Sequence, residues 1–424
     1  MMKTLTNCLF FFLFFHTVIG QKILSGPILL PENDSLDTYW TLLKNGNKNL
    51  FSSSAELTII EDTLVSTYKK KYSAFQLKTK NNVPYELKIL DQKGNMIYNK
   101  MVNAELRNDN AFLFGSCAFI PYGFSRVYRP YKMNRIYRTM AKEDVKKMFW
   151  LGDNIYLFPD YITSSQKRIY KSYLKVRKDR SLNTFLSSGI EHHAIWDDHD
   201  FGPNNSSGLF ENASLTTTSF INFWNKFNVK DSGIYEVVHY GKIDFFLMDT
   251  RTFYKVNNGS FLGSKQLEWL KDGLLNSKAK FKFILFSNQV LNPKTNHETI
   301  NRGKYKKEKD ILLDFIEKES LAGVVFFSGD RHFSEIHKHT STNLSYPLYD
   351  FTTSPLSSPR HRLFFKEEKK NVGTRVLGSF YSNKNYLKCS IQKENNHEVL
   401  YFEYKNKFGK TVFQHALSEK DLGY

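Results

Sequence analysis

Seven short apolar runs in this chain each stop abruptly at a residue of metal-binding or catalytic type. Ala111–Phe114 runs into Gly115-Ser116-Cys117, Met148–Leu151 into Gly152-Asp153, and Ala194–Trp196 into Asp197-Asp198-His199-Asp200. Phe245–Met248 leads to Asp249-Thr250-Arg251, Phe281–Phe286 to Ser287-Asn288, and Val324–Phe327 to Ser328-Gly329-Asp330-Arg331-His332. The seventh, Leu348–Phe351 into Thr352-Thr353-Ser354, is interrupted by Asp350. Four to six apolar residues closed by turn chemistry read as a buried strand. Polar groups at the carboxyl ends of such strands gather on one edge of an open α/β sheet, where ligands bind. Seven such ends predict one site assembled from across the sequence.

The rest of the chain fits around that frame. Helical spacing appears at 165–176, at 264–275 with Ser264 as its cap and Leu267, Leu270 and Leu274 as an apolar stripe, and at 308–316. Gly241-Lys242 separates two strand-like runs as a hairpin turn. After about residue 373 the pattern turns to strands again, at 375–381, 386–391, 399–404 and 411–415. Strands alternating with helices and closed by antiparallel strands predict a layered α/β domain with two facing sheets flanked by helices, over 108–424. Residues 21–107 differ in texture. Their alternating segments at 56–60, 75–79 and 85–90 predict a small all-β sandwich without catalytic residue types, an accessory domain.

Residues 1–20 read as a signal peptide: Lys3, an apolar stretch Cys8–Phe15, then Val18-Ile19-Gly20 before Gln21. The stretch is too short to span a bilayer. The expected location is secreted or periplasmic, with a mature protein that is soluble or peripherally held on a membrane. The composition, with 37 Phe, 24 Tyr and 41% hydrophobic residues, excludes a wholly disordered chain. The net charge of +18 invites a nucleic-acid reading, but the lysines are dispersed and no reading motif accompanies them. A specific nucleic-acid reader is therefore not expected, and no partner protein is implied. The basic surface suits anionic substrates.

Two residue strings carry most of the chemistry. Asp197-Asp198-His199-Asp200 places three carboxylates and an imidazole together after an apolar run, where the carboxylates repel one another unless cations or many donors offset them. Asp330 and His332 stand two apart, on one side of an extended segment. Asp153 follows a glycine at a strand end, and Tyr156 can return beside it within one turn. Carboxylate, phenolate and thiolate together suit a highly charged ion. Arg251 has the geometry to grip phosphate oxygens or, alternatively, to pair with a carboxylate. His192 and His193 read as core or supporting histidines. Cys117 and Cys389 leave two alternatives open, a disulfide or a thiolate ligand at Cys117.

Taken in order, Gly115-Ser116-Cys117, Gly152-Asp153 with Tyr156, Trp196–Asp200, Asp249-Thr250-Arg251, Ser287-Asn288-Gln289 and Gly329–His332 resemble the PhoD-like alkaline phosphatase family. More distantly the pattern is similar to purple acid phosphatases among the calcineurin-like metallophosphoesterases. The resemblance implies a phosphate-ester hydrolase, acting on monoesters, diesters or both. It implies Fe3+ held by Cys117, Asp153, Tyr156 and His332. Asp153 would bridge to Ca2+ or another divalent ion held by Asp198, Asn288 and Asp330, with Asp197, Asn204 or Asn205 serving a further cation. His199 would stand beside the substrate and Arg251 would hold the phosphoryl group. Paired cations about 3.5–4 Å apart would lower the pKa of a water toward ~7, giving a hydroxide nucleophile. Two alternatives compete: a phospholipase D-like phosphodiesterase on the same scaffold, and a silent anion-binding protein. The leader lacks the twin-arginine pair frequent in this family, so the identity of the metals stays open.

Overall fold

The computed structural model describes residues 22–33, 36–44, 51–52, 58–62, 72–80, 85–90, 95–102, 108–121, 134–157, 165–224, 233–256, 259–293, 299–359 and 373–424. The expected signal peptide and the lysine-rich stretches 69–71 and 366–370 lie outside them. All seven apolar runs are strands: β8 (Ala111–Gly115), β9 (Lys147–Leu151), β10 (Glu191–Ile195), β12 (Ile243–Leu247), β13 (Phe281–Leu285), β14 (Val324–Ser328) and β16 (Leu348–Thr352).

They belong to two sheets. In the larger, β8, β9 and β10 run parallel to one another. With β1 (Lys22–Asn33), β2 (Leu36–Lys44), β4 (Thr58–Asp62), β5 (Tyr72–Lys80), β17 (Asn385–Glu394), β18 (His397–Asn406) and β19 (Thr411–Ser418), the order of its ten strands is β19-β18-β17-β8-β9-β10-β1-β2-β5-β4. In the smaller, β12, β13, β14 and β16 are parallel, and antiparallel strands β11 (Glu236–Tyr240) and β15 (Glu335–His339) close the edges. Parallel strands share a carboxyl edge, so each sheet presents its polar strand ends on one side. The hairpin at Gly241 forms as expected, with φ of 57° at the glycine.

Alternation along each strand explains the layers. On β8 and β9, Phe112, Phe114, Phe149 and Leu151 face the smaller sheet, whereas Ala111, Leu113, Met148 and Trp150 face a helical layer. Between the sheets Phe114 stacks on Phe327 at 4.2 Å, Phe149 on Phe245 at 4.2 Å, and Phe351 on Phe402 at 4.0 Å. Each buried ring contributes roughly 1.5–3 kcal/mol. The helical layer comprises α1 (Arg135–Met140), α2 (Gln166–Arg177), α3 (Arg180–Leu186) and α5 (Ala213–Trp224). Helices α6 (Ser264–Asn276) and α7 (Lys306–Lys318) put Leu267, Leu270, Leu274, Leu312, Leu313 and Ile316 into the first core.

Three expectations change. Ser264 is the first helical residue and Gly263 the cap, because φ of 77° there suits glycine. Residues 375–381 form no strand: isolated bridges at His337–Arg375 and Ser334–Tyr381, with the Ile336 N–H donating to Ser379 Oγ at 3.0 Å, tie them to β15 and the residue before it. Finally, the strands of 21–107 fall into two groups. β3 (Phe51–Ser52), β6 (Tyr85–Leu90) and β7 (Met96–Val102) form their own sheet, as a sandwich requires, but β1 pairs parallel with β10 at Leu29–Glu191 and so prolongs the large sheet. The remaining C-terminal strands, β17 (Asn385–Glu394), β18 (His397–Asn406) and β19 (Thr411–Ser418), match the pattern. No helix among the described residues is long and apolar enough to cross a membrane.

His192 and His193 are core residues. Trp150 Nε1 donates to His192 Nδ1 at 3.1 Å, and His193 Nε2 lies 2.5 Å from Glu191 Oε1. Burial, reinforced by Arg177, pushes His192 from its ordinary value of 6.5 down to about 3. Above 6.5 the folded and unfolded chains both carry a neutral ring, and the contribution to stability is fully present. Between 6.5 and about 3 the unfolded chain takes a proton that the folded chain refuses, so stability falls as pH falls. His192→Gln keeps an acceptor for Trp150 but cannot titrate. It should therefore lose less stability than the parent between about pH 7 and about pH 4.5 in urea unfolding; equal losses would refute the assignment.

Candidate metal centre

At the carboxyl edge the two sheets bring their strand ends together around Asp153. Cys117, Asp153 and His332 form one group of potential metal donors, Asp153, Asp198 and His199 a second, and Asp153, Asp197 and Asp330 a third. Within each, the donor atoms lie within 4.8 Å of one another. Asp153 belongs to all three. The loops achieve this with unusual backbone: Cys117, Asp153, Asp330 and His332 adopt φ of 58°, 54°, 66° and 56°. Left-handed conformation at non-glycine residues costs of order 1–3 kcal/mol each and persists only where the surroundings over-determine it. Glycines make the approach possible. A Cβ on Gly152 would stand 2.6 Å from Asp197 Cβ, and one on Gly329 would stand 2.5 Å from the Leu151 carbonyl oxygen.

Around one side of Asp153, the Tyr156 hydroxyl donates to Asp153 Oδ2 at 3.0 Å and lies 3.3 Å from His332 Nε2. Cys117 Sγ is 3.5 Å from Asp153 Oδ2 and accepts from Ser354 Oγ at 3.0 Å. Ser358 Oγ donates to the Tyr156 oxygen at 2.8 Å, and His332 Nδ1 lies 2.5 Å from the Pro359 carbonyl. That carbonyl takes the Nδ1 proton and leaves the Nε2 lone pair facing the cluster. Cys117 and Cys389 are both buried free thiols, which settles the choice against a disulfide. Cys389 sits instead within β17, opposite Phe112.

On the other side, Asp198 accepts at Oδ2 from the Asn205 N–H at 2.6 Å. Asn288 is fully buried at the end of β13. His199 lies flat on the Tyr156 ring, centroids 4.3 Å apart. Asn204 and Asn205 expose their side chains, so Asn205 serves through its backbone alone.

Charge is poorly balanced here. Burial, then the fields of Asp198, Asp197, Asp200 and Asp330, hold the Asp153 carboxyl well above its ordinary range. Burial followed by Asp153 does the same to the Cys117 thiol and the Tyr156 phenol. Asp198 departs the other way: against its burial, His199, Arg251 and the Asn205 N–H hold it low. Asp153 Oδ1, Asp330 Oδ2 and Asn288 Nδ2 are buried without a hydrogen-bond partner. Orphaned oxygens beside a thiol, a phenol and an imidazole fit a cationic centre, since cations supply the missing charge and favour the deprotonated ligands.

Two predicted residues take other places. Arg251 is completely buried; its guanidinium pairs with Asp197 Oδ1, and its Nη1 donates to the Ser206 carbonyl at 3.1 Å. It has no open face for a phosphoryl group, so the pairing alternative holds. Asp197, expected as a cation ligand, lies at donor distance from Asp153 and Asp330, yet Oδ1 is already occupied by Arg251 and by Ser287 Oγ at 2.9 Å. Arg251 and Asp197 thus pair through Oδ1.

Sequence reasoning missed Asp200 as an organiser. Its carboxylate is buried and accepts from Asn154 N, Ile155 N and Asp197 N, and burial raises it to about 7 despite those donors. It also missed the hydroxyls of Ser354 and Ser358, although both stand in the serine-rich string after the seventh strand end. Asp249, likewise structural, accepts from Trp196 Nε1, Ile234 N and Thr252 N.

The sequence profile of the PhoD-like phosphatase family matches residues 112–416. Among curated proteins none matches this chain. A solved structure of PhoD aligns with a TM-score of 0.64 and 16% identity, over 94% of this chain and 88% of that one, a likeness of fold. Single- and double-mutant structures of Vps29 from Entamoeba histolytica align over 73% of this chain and 98% of theirs, at 9% identity; their TM-score of 0.26 carries no argument. The matched span 112–416 contains all seven strand ends and the whole cluster around Asp153, and the chain belongs to the PhoD-like phosphatase family, a family of phosphohydrolases.

Proposed function

We propose that this protein is an exported, metal-dependent phosphohydrolase whose reaction centre is the cluster around Asp153. The observation that carries the reading is the sharing of Asp153 among three donor groups, with its Oδ1 buried and without a hydrogen-bond partner. Cys117, Tyr156, His332 and Asp153 suit a hard trivalent ion such as Fe3+. Asp153, Asp198, Asn288 and Asp330 suit Ca2+ or another divalent ion through oxygen. When bound, such ions neutralise phosphate charge and lower the pKa of a coordinated water.

The chain's own groups prepare this centre. Ser354 and Ser358 donate to the Cys117 sulfur and the Tyr156 oxygen, which stabilises both in anionic form. Pro359 fixes the His332 tautomer, and the Asn205 N–H holds Asp198 in place. Arg251 pairs with Asp197 and offsets its charge. His199 is half-buried, with its ring stacked on Tyr156, and serves as the general acid that protonates the leaving ester oxygen.

Purified protein should release p-nitrophenol from a phosphomonoester, a phosphodiester or both, and the ratio assigns its class. His199→Ala should lower kcat by about 10²–10⁴-fold while metal content, read by elemental analysis, is retained. Unchanged turnover would remove His199 from proton transfer. A tyrosinate-to-iron band in the visible spectrum should accompany activity and disappear in Tyr156→Phe; an active, colourless, iron-free protein would defeat the ferric assignment. Export rests on Lys3 and the apolar stretch Cys8–Phe15. Sequencing the amino terminus of protein recovered outside the cytoplasm should begin near Gln21, whereas an intact leader would contradict processing.

A further inference from the structure

The third acid of Asp197-Asp198-His199-Asp200 belongs to none of the donor groups, yet it is fully buried and its hydrogen bonds reach two separate loops. Oδ1 accepts from Asn154 N at 3.0 Å and Ile155 N at 3.1 Å. Oδ2 accepts from Asp197 N at 3.0 Å, from Asn154 N at 3.2 Å and from Asn154 Nδ2 at 3.4 Å. Asn154 Nδ2 also donates to the Ile195 carbonyl at 2.7 Å, which fastens the same loop to the end of β10.

The loop that follows β9 carries Asp153 immediately before these donors and Tyr156 immediately after them. The turn that follows β10 carries Asp197 and Asp198. Asp153 is held at φ of 54°, a conformation that needs external restraint, and the peptide just beyond it is the one Asp200 grips twice. A second tie runs alongside, from Leu157 N to the His199 carbonyl at 3.3 Å.

We propose that Asp200 is a positioning residue that sets the spacing between Asp153 and Asp198, and hence the retention of metal at the shared carboxylate. This rests on the metallohydrolase reading above. The geometry calls for acceptors: every neighbour donates an N–H to one of the two Asp200 oxygens, which together offer about four acceptor directions. The isosteric Asn keeps one oxygen and turns an amide N–H₂ toward donors, leaving buried N–H groups of one loop or the other unpaired. Such supporting groups typically change metal affinity or activity by about 10–100-fold when replaced.

The test challenges metal-loaded protein with EDTA and follows the metal remaining by elemental analysis. Asp200→Asn should lose metal about 10–100-fold faster than the parent. Leu270→Ala, on the buried face of α6, serves as a control that lowers stability without touching either loop; its metal loss should stay within about twofold of the parent, far below the change expected of a supporting group. Should Asp200→Asn not fold, Asn154→Ala removes one donor and should still accelerate loss several-fold. Parent-like retention in Asp200→Asn, or in Asn154→Ala where the first variant does not fold, overturns the role, as does equal acceleration in Leu270→Ala. A parent that retains no metal overturns the metallohydrolase reading itself, and this assignment with it.

Discussion

Mutual repulsion of buried carboxylates is the constraint around which this molecule is organised. Asp153, Asp197, Asp198 and Asp200 are almost wholly out of water, and Asp330 is close by. Two like charges about 4 Å apart at an effective dielectric near 20 oppose each other by about 4 kcal/mol. A fold that assembles five such groups must balance them individually. Arg251 answers Asp197, backbone N–H groups answer Asp200, and the Asn205 N–H with His199 answers Asp198. Asp153 is left with the least compensation, and its carboxyl is pushed upward accordingly. The deficit falls on the one residue shared by all three donor groups, where a bound cation would do most to relieve it.

Holding that arrangement demands a rigid base, which the aromatic layer between the sheets provides. Phe114, Phe149, Phe245, Phe327 and Phe351 lie directly behind the strand ends that carry Cys117, Asp153, Arg251, Asp330 and the Ser354 loop. Parallel pairing in both sheets aims every one of these ends at the same edge. Left-handed residues then turn the chain sharply just past three strands, Cys117, Asp153 and Asp330 two residues beyond their ends and His332 four, so the donors meet over the seam. Backbone strain is concentrated where the packing is best able to resist it.

Much of this was legible in the sequence, and the reason is physical. A buried strand must be apolar on both faces, and a loop that binds charge must be polar at once, so the boundary between Leu151 and Asp153 or between Phe327 and Asp330 is abrupt in the text. What could not be read is partner choice. Arg251 pairs with Asp197 across 54 residues, and nothing local distinguishes that carboxylate from Asp249, two residues away, whose oxygens are committed to Trp196 and backbone amides. The same blindness applies to β1, which lies in the stretch expected to be an accessory domain and carries no sign that its free edge pairs with β10. At 375–381 the alternation is genuine, yet isolated bridges rather than a ladder satisfy that backbone.

The acid-rich string after β10 shows most clearly why the residue types were visible while their roles were not. Successive residues in a helical turn point about 100° apart, so neighbours in sequence cannot share a target. Asp197 precedes the short helix α4 (Asp198–Phe201) and reaches Arg251 and Ser287; Asp198 opens it and faces Asp153; Asp200 turns back onto the loop after β9. Read as text, the string concentrates three negative charges. Folded, it distributes them in three directions, one to a buried cation, one to the donor cluster and one to backbone amides. A helical turn at this strand end is therefore part of the chemistry: in an extended segment Asp198 and Asp200 would project to the same side, and their charges would converge on one spot.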